Sequence, residues 1–379
     1  GAQDWFAIAQ SPNSQSVLRL ELRSTVDCAE IALIADDGQV VQTTSIAGGV
    51  AVLDQLASAR QARFVRVRCV AQGRGKRQPT GGPYQLQLQS RPRDEGEERE
   101  PNETAATSSV TLKPGRDAVG TLAHARDIDL WPLELPVLAE GDAGKTGSGL
   151  MLAVTGVPGV SIELQLRAPD GTIRLQRRGT RGAALAIPNL DTRLLAPGTL
   201  AALIARRGAN AEQRYVISIG PAPEELLATV TEREPNDRRD AANLLTLQAQ
   251  EHGLLDGPKD VDWFALDVDP GTDLTVTLRC PATVKARLVV HHGPGKPVWK
   301  TAESAGAEVQ IERVTASQER VWVRVHAVGN DHSTSATYEL EATNLTALDA
   351  ALDLSGLATE QLAPAPDTVT PTAKRPPTQ

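Results

Sequence analysis

A short acidic motif occurs twice in this chain, and that repetition constrains the fold more than any other feature of its 379 residues. Glu98-Arg-Glu-Pro-Asn102 returns as Glu232-Arg-Glu-Pro-Asn236, and each copy is followed by paired alanines, Ala105-Ala106 and Ala241-Ala242. Downstream of each Asn comes a second shared element, Asp127-Ile-Asp129-Leu-Trp131 in one copy and Asp260-Val-Asp262-Trp-Phe264 in the other. Self-similarity of this kind is the signature of an array of like units. A third, incomplete copy opens the chain: Asp4-Trp5-Phe6-Ala7-Ile8 aligns with Asp262-Trp263-Phe264-Ala265-Leu266 but lacks the acidic segment in front. Tyrosine counts the same way, since the three in the chain, Tyr84, Tyr215 and Tyr338, each stand in an alternating run near a repeat's end.

Within each repeat, apolar and polar residues alternate over short runs such as Leu133-Glu-Leu-Pro-Val137, Ile162-Glu-Leu-Gln-Leu166 and Val321-Trp-Val-Arg-Val325. Turn signals bound them, among them Asp37-Gly38, Asp170-Gly171 and Pro270-Gly271. Alternation of period two marks strands of sheets buried on one face. The sequence therefore predicts an all-β chain of three tandem antiparallel β-sandwich, jelly-roll-like domains, with few and short helices. The expected bounds are 1–93, truncated at its N-terminus, 98–221 and 231–345, joined by polar linkers at Arg91 to Glu97 and Pro221 to Thr231. Residues 346–379 read as a tail, a short amphipathic helix over Ala347 to Leu362 and then Pro/Thr-rich disorder.

Composition narrows the function classes. A net charge of −8 argues against nucleic acid, which needs a basic footprint, and the run Arg74-Gly-Lys-Arg77 reads as a solvated loop. No apolar stretch is long enough for a membrane-spanning helix. The opening Gly-Ala-Gln-Asp-Trp-Phe reads as a processed or cut start. Cys28, Cys69 and Cys280 lack Cys-x-x-Cys spacing, which excludes a zinc ribbon; Cys28 and Cys69 could pair, but small buried thiols are the expected state. Catalysis finds no Gly-x-Ser-x-Gly or His-Glu-x-x-His, and the six histidines, including the His291-His292 pair, have no nucleophile beside them. The Asp pairs recur with the repeat, as structural features do, whereas an active site occurs once.

The sequence from Glu-x-Glu-Pro-Asn-(Asp/Glu) to Asp-x-Asp-Trp-Phe resembles the bacterial pre-peptidase C-terminal domain and is similar to the collagen-binding domain of clostridial collagenases. The resemblance is strong over Glu98 to Leu135 and Glu232 to Val268. It implies non-catalytic sandwich modules of a secreted, periplasmic or cell-surface protein, and an acidic linker that binds calcium. Carried over residue by residue, the ligand set is Glu232, Glu234, Asn236, Asp237, Asp260 and Asp262 in the third repeat. In the second it is Glu98, Glu100, Asn102, Glu103, Asp127 and Asp129, where Glu103 departs from the usual Asp. Physical chemistry independently allows this, since alternation puts Glu232, Glu234 and Asn236 on one side of an extended segment and Ca²⁺ takes six to eight oxygens. A metal-free brace, with Asn bonding the backbone and Pro setting the turn, is the competing reading. The first repeat should have no such site.

Alternating spacing assigns Trp5, Phe6, Trp131, Trp263 and Phe264 to core strands, and the tyrosines to core or sheet edge. Trp322 falls on the face opposite Val321 and Val323 and is the candidate ligand contact. The sequence thus reads as a non-enzymatic accessory or binding array whose partners are an extracellular protein or polysaccharide, or adjacent domains of a larger chain. Two alternatives are an adhesin that binds matrix protein or glycan through its sandwich faces, and the accessory part of a hydrolase catalysed elsewhere.

Overall fold

The computed structural model describes residues 3–9, 16–25, 29–46, 49–57, 64–69, 82–135 and 149–345. Strand is the dominant regular structure of these residues and helix is scarce; the strands form six sheets whose pairs are antiparallel except for the two-residue strand β16 described below. The first two sheets use β1 (Gln3–Ala7), β2 (Ser16–Ser24), β3 (Ala29–Ile34), β4 (Val40–Ser45), β5 (Val50–Ala57), β6 (Phe64–Cys69) and β7 (Tyr84–Pro92). Their orders are β1-β6-β3-β4 and β5-β2-β7. Leu18, Leu20 and Leu22 of β2 and Leu53 of β5 meet Ile31, Leu33, Val65 and Val67 of the facing sheet in one apolar cluster. Each such side chain contributes about 1.5–3 kcal/mol through burial.

A second pair of sheets follows, from β8 (Arg116–Leu122), β9 (Ile128–Pro132), β10 (Leu150–Val154), β11 (Ser161–Arg167), β12 (Ile173–Arg178), β13 (Leu185–Leu190), β14 (Leu200–Arg207) and β15 (Asn210–Pro221). They are ordered β13-β10-β15-β8 and β12-β11-β14-β9 around a separate core that holds Trp131, Leu164, Leu203 and Tyr215. The third pair uses β16 (Asn243–Leu244), β17 (Gln250–Gly253), β18 (Val261–Asp267), β19 (Asp273–Arg279), β20 (Ala286–His291), β21 (Val298–Thr301), β22 (Val309–Thr315), β23 (Arg320–Ala327) and β24 (Tyr338–Asn344). Their orders are β16-β18-β23-β20-β21 and β17-β24-β19-β22, and the core includes Phe264, Leu288, Val323 and Tyr338. A sheet with one apolar face must bury it against another, and each pair does so.

Where the polar linker before the third unit was expected, a six-residue helix α1 (Glu224–Thr229) forms, with Glu224 and Glu225 in its first turn, where they complement the helix dipole. The expected tail helix and disorder lie outside the described residues, as does the loop at Arg74 to Arg77.

Two expectations need correction. Trp5 and Phe6 are 48% and 40% exposed instead of buried: β1 is outermost in its sheet and, among the described residues, nothing covers its free edge. In the later units that edge receives the acidic segment, through Leu130 N–H donating to Asn102 O (3.3 Å) and Trp263 N–H donating to Asn236 O (3.1 Å); Trp131 and Phe264 are accordingly buried and Trp263 half-buried. Strand register also makes Phe64 the counterpart of Trp322, since Trp5 opposes Arg66 as Trp263 opposes Arg324. Finally, Cys69 is disulfide-bonded and Cys280 is free; Cys28 lies outside the described residues.

Candidate functional site

The two acidic motifs fold alike. Both Glu-Pro bonds, Glu100-Pro101 and Glu234-Pro235, are cis. Each second Glu bridges in parallel to the unit before it, Glu100 to Leu56 of β5 and Glu234 to Leu190 of β13. The motifs thus lie at the junctions between successive pairs of sheets. Glu98, Glu100, Asn102, Asp127 and Asp129 are 0–2% exposed, and so are Glu232, Glu234, Asn236, Asp260 and Asp262. Glu103 and Asp237 are half-buried beside them.

In the second unit Glu98 accepts from Thr121 N–H (2.6 Å) and Asn102 Nδ2 (2.9 Å), while Asp127 accepts from Ala123 N–H (2.7 Å). The Tyr215 hydroxyl bonds to Asp129, lies 3.3 Å from Glu98 and accepts from Trp131 Nε1 at 3.2 Å. The third unit repeats this network: Leu254 N–H donates to Glu232 (2.5 Å), Asp256 N–H donates to Asp260 (2.7 Å), and the Tyr338 hydroxyl lies 2.7 Å from Asp262 and 3.0 Å from Glu232. Gly120 and Gly253 make room, because a Cβ at either would stand 2.4 and 2.2 Å from the tyrosine hydroxyl. The first unit keeps only the Tyr–Asp pair, Tyr84 to Asp4 at 2.6 Å near the surface. Sequence alternation placed these tyrosines in the core or at a sheet edge but gave no sign that their hydroxyls seat the carboxylates.

Burial dominates the electrostatics. It raises Glu98, Glu100 and Asp129 well above the usual carboxylate range, and each carboxylate's neighbours add to the effect. Asp127 is pushed up to about 6, its rise limited by His124, whose Nε2 stands 3.2 Å from Oδ1. Burial likewise takes Glu232 up to about 8 and raises Asp262 well above its ordinary value. One hydroxyl proton cannot serve two carboxylates, so Tyr338 between Asp262 and Glu232 favours a shared proton there. Buried oxygens that accept no hydrogen bond remain in both units: Glu100 Oε1, Asn102 Oδ1 and Asp129 Oδ1 in the second, Asn236 Oδ1 and Asp262 Oδ1 in the third.

The two sites differ in where their positive charge comes from. In the third unit the guanidinium of Arg177, on β12 of the second unit and 1% exposed, enters the acidic cluster. It bonds to Glu234 and Asp256, lies 2.8 Å from Asp260 Oδ1, and reaches both oxygens of Asp237 at 3.2 Å. Glu234, Asp237 and Asp260 are also the third unit's group of mutually close donor atoms that could hold a metal ion. The arginine occupies that place.

Three positions change together between the units. The place of Arg177, counted from the Asp170-Gly171 and Asp37-Gly38 turns, belongs to Thr44 in the first unit. Asp256 and Gly257, counted back from Asp260, correspond to Ala123 and His124 before Asp127. Gly257 lets the arginine stem pass, since a Cβ there would meet Arg177 Cδ at 3.0 Å. In the second unit the donors fall into two groups, Glu98 with Glu100 and Asp129, and Glu103 with His124 and Asp127. Sequence reading noted only that the histidines lack a neighbouring nucleophile; the signal of His124 was its position, which Gly257 holds in the third unit.

Trp322, the candidate ligand contact, is half-buried, with Arg239 4.6 Å and Arg320 5.8 Å from its ring. Trp299 is 58% exposed.

No protein-family profile and no curated protein matches the chain. Among solved structures, the pre-peptidase C-terminal domain of a Bacillus anthracis collagenase is similar at 17% identity over 30% of this chain and 100% of that one, with a TM-score of 0.23. The PBSX exported protein XepA is 11% identical over 62% of this chain and 89% of that one (TM-score 0.19). A putative secreted protein from Eubacterium rectale is 9% identical over 63% and 80% (TM-score 0.20).

Proposed function

We propose that the chain is a non-catalytic binding and spacing array of an exported protein, built from three tandem β-sandwich modules over 1–93, 98–221 and 231–345 and braced by cations at its junctions. The observation that carries this reading is that each acidic motif bridges backward to the preceding pair of sheets while its carboxylates cluster beneath a buried tyrosine. Such a site fixes one module against the next. Carboxylates that are 0–2% exposed offer a substrate no approach, which argues against acid–base hydrolysis by the Asp pairs. The disulfide at Cys69 suits an oxidising compartment outside the cytoplasm.

Calcium is the cation proposed for the second module. Glu98, Glu100 and Asp129 with Asn102 Oδ1 form an all-oxygen donor set suited to a hard ion, and three of its buried oxygens accept no hydrogen bond. At the third module Arg177 supplies the charge, so Glu232 to Asp262 is a metal-free brace. Titrating CaCl₂ into the full chain by calorimetry is expected to give a single binding event, lost in the Glu98→Gln/Asp129→Asn double variant. No heat and no rise in melting temperature at millimolar calcium would overturn the calcium reading. Small-angle scattering tests the array itself: three articulated or stacked lobes are expected, and one sphere-like particle would contradict it.

A further inference from the structure

The outer face of the five-stranded sheet in the third unit carries a concentration of indoles and of guanidinium groups without a carboxylate partner that, among the described residues, neither counterpart shows. Trp263 on β18 opposes Arg324 on β23, whose guanidinium lies 5.4 Å from the indole, and His291 packs on the same ring at 5.3 Å. Arg287 on β20 lies 4.7 Å from Trp299 on β21, and Arg239 lies 4.6 Å from Trp322. Arg320 at the end of the row is bound by Asp267 at 2.6 Å. Arg239, Arg287 and Arg324 make no ion pair with a carboxylate among the described residues.

Strand register shows that the other two units carry the opposite charge at this place. Arg287 opposes His326, Glu30 opposes Arg68 at the same place in the first unit, and Glu163 opposes Ile204 in the second. Glu30 answers Arg68 at 2.7 Å and Arg66 at 3.7 Å; Glu163 answers Arg178 at 2.7 Å and Arg206 at 3.3 Å. The third unit replaces this glutamate with Arg287 and turns a neutralised face into a basic one. Burial and then Arg287 push Arg324 below the ordinary guanidinium range, and burial, Arg324 and Arg287 push His326 down to about 4. Arg287 Nε donates to Thr301 Oγ1 at 2.8 Å and Arg324 Nε is buried, so the terminal N–H groups of the two guanidiniums are the donors an anion would meet.

We infer that this face, centred on Arg287, Arg324, Trp263 and Trp299, docks an anionic polysaccharide, with sugar rings against the indoles and carboxylate or sulfate groups on the guanidinium edges. The proposal rests on the binding-array reading and names its ligand class. A neutral partner is disfavoured because docking would desolvate the Arg287 and Arg324 guanidinium groups and leave them without a counter-charge. In a chain of net charge −8, this local reversal of sign is what would select a polyanion.

The test measures binding of the full chain to polygalacturonate and heparin in EDTA, with dextran as the neutral control and oligo-dT as the competing polyanion. Retention of one or both acidic polysaccharides, weakening with salt, is expected, with none on dextran. Arg287→Glu, which installs the residue type both other units carry, should weaken binding about tenfold or more with no loss of fold. Should that variant unfold, Trp299→Ala at an exposed edge position carries the test and should weaken binding several-fold. Binding to neither acidic polysaccharide, binding indifferent to both substitutions, or tighter binding of oligo-dT would overturn the proposal. Because the experiment is run without calcium, its failure leaves the scattering and calcium results for the array unaffected.

Discussion

Arg177 of β12 and Asp260, the residue before β18, meet at 2.8 Å although they belong to different pairs of sheets, and both are almost fully buried. A lone guanidinium costs several kcal/mol to desolvate, and so does each carboxylate. Their burial is tolerated because Asp256, Glu234 and Asp237 close around the same group, and their summed charge holds Arg177 well above its ordinary pKa. Breaking such a cluster from one side is expensive. Arg177→Met should destabilise the chain by about 3–5 kcal/mol in chemical unfolding. Millimolar Ca²⁺ should recover much of that loss, because the vacated group of Glu234, Asp237 and Asp260 has the donors a divalent ion needs. A Met variant as stable as the parent would show that Arg177 does not hold the junction.

At the second module the sign reverses. Glu100 is 1% exposed, with Oε1 accepting no bond, and burial and its acidic neighbours raise its pKa well above the usual range. Charge there is a liability until a cation arrives. Glu100→Gln should therefore leave melting in EDTA unchanged or raise it by a few degrees, while removing most of the upward shift that calcium gives the parent chain. A substitution that lowers stability equally with and without calcium would assign Glu100 to packing alone.

The tyrosine hydroxyls allow a comparison within one molecule. Tyr338 and Tyr215 are completely buried against paired carboxylates, whereas Tyr84 meets Asp4 close to solvent. Tyr338→Phe removes the hydroxyl between Asp262 and Glu232, at a cost of about 1–3 kcal/mol. Tyr84→Phe should cost under about 1 kcal/mol, because water replaces the lost bond. Equal losses in the two variants, measured by urea unfolding, would contradict this account.

Alternation and the Glu-Arg-Glu-Pro-Asn repeat made the all-β class and the two carboxylate clusters legible, because both are local patterns. Arg177 was not legible, since its partner Glu234 lies 57 positions away and no periodicity links them. Its socket did leave a trace in the change from Ala123-His124 to Asp256-Gly257, which only the structure gives a meaning. Trp5 and Phe6 were placed in the core because alternation reports which face a residue takes, not whether anything covers the strand's edge. The charge reversal at Arg287 was hidden for a related reason: its counterparts Glu30 and Glu163 become equivalent only once strand register is known.

Acid should weaken the third unit through a group other than its carboxylates. His326 on β23 faces Arg287 on β20 across the register and has Arg324 on its own strand, while its partner on β18, Val261, is uncharged. Burial, with these two guanidinium groups, holds its folded-state pKa at about 4, against about 6.5 in the unfolded chain. The folded state thus resists a proton that the unfolded state accepts. The stability His326 lends is fully present above about pH 6.5 and is lost progressively as pH falls through 4. His326→Gln removes the titrating group, so melting temperature measured from pH 7 to pH 4 should fall less steeply for the variant than for the parent. Parallel profiles would place the acid sensitivity elsewhere.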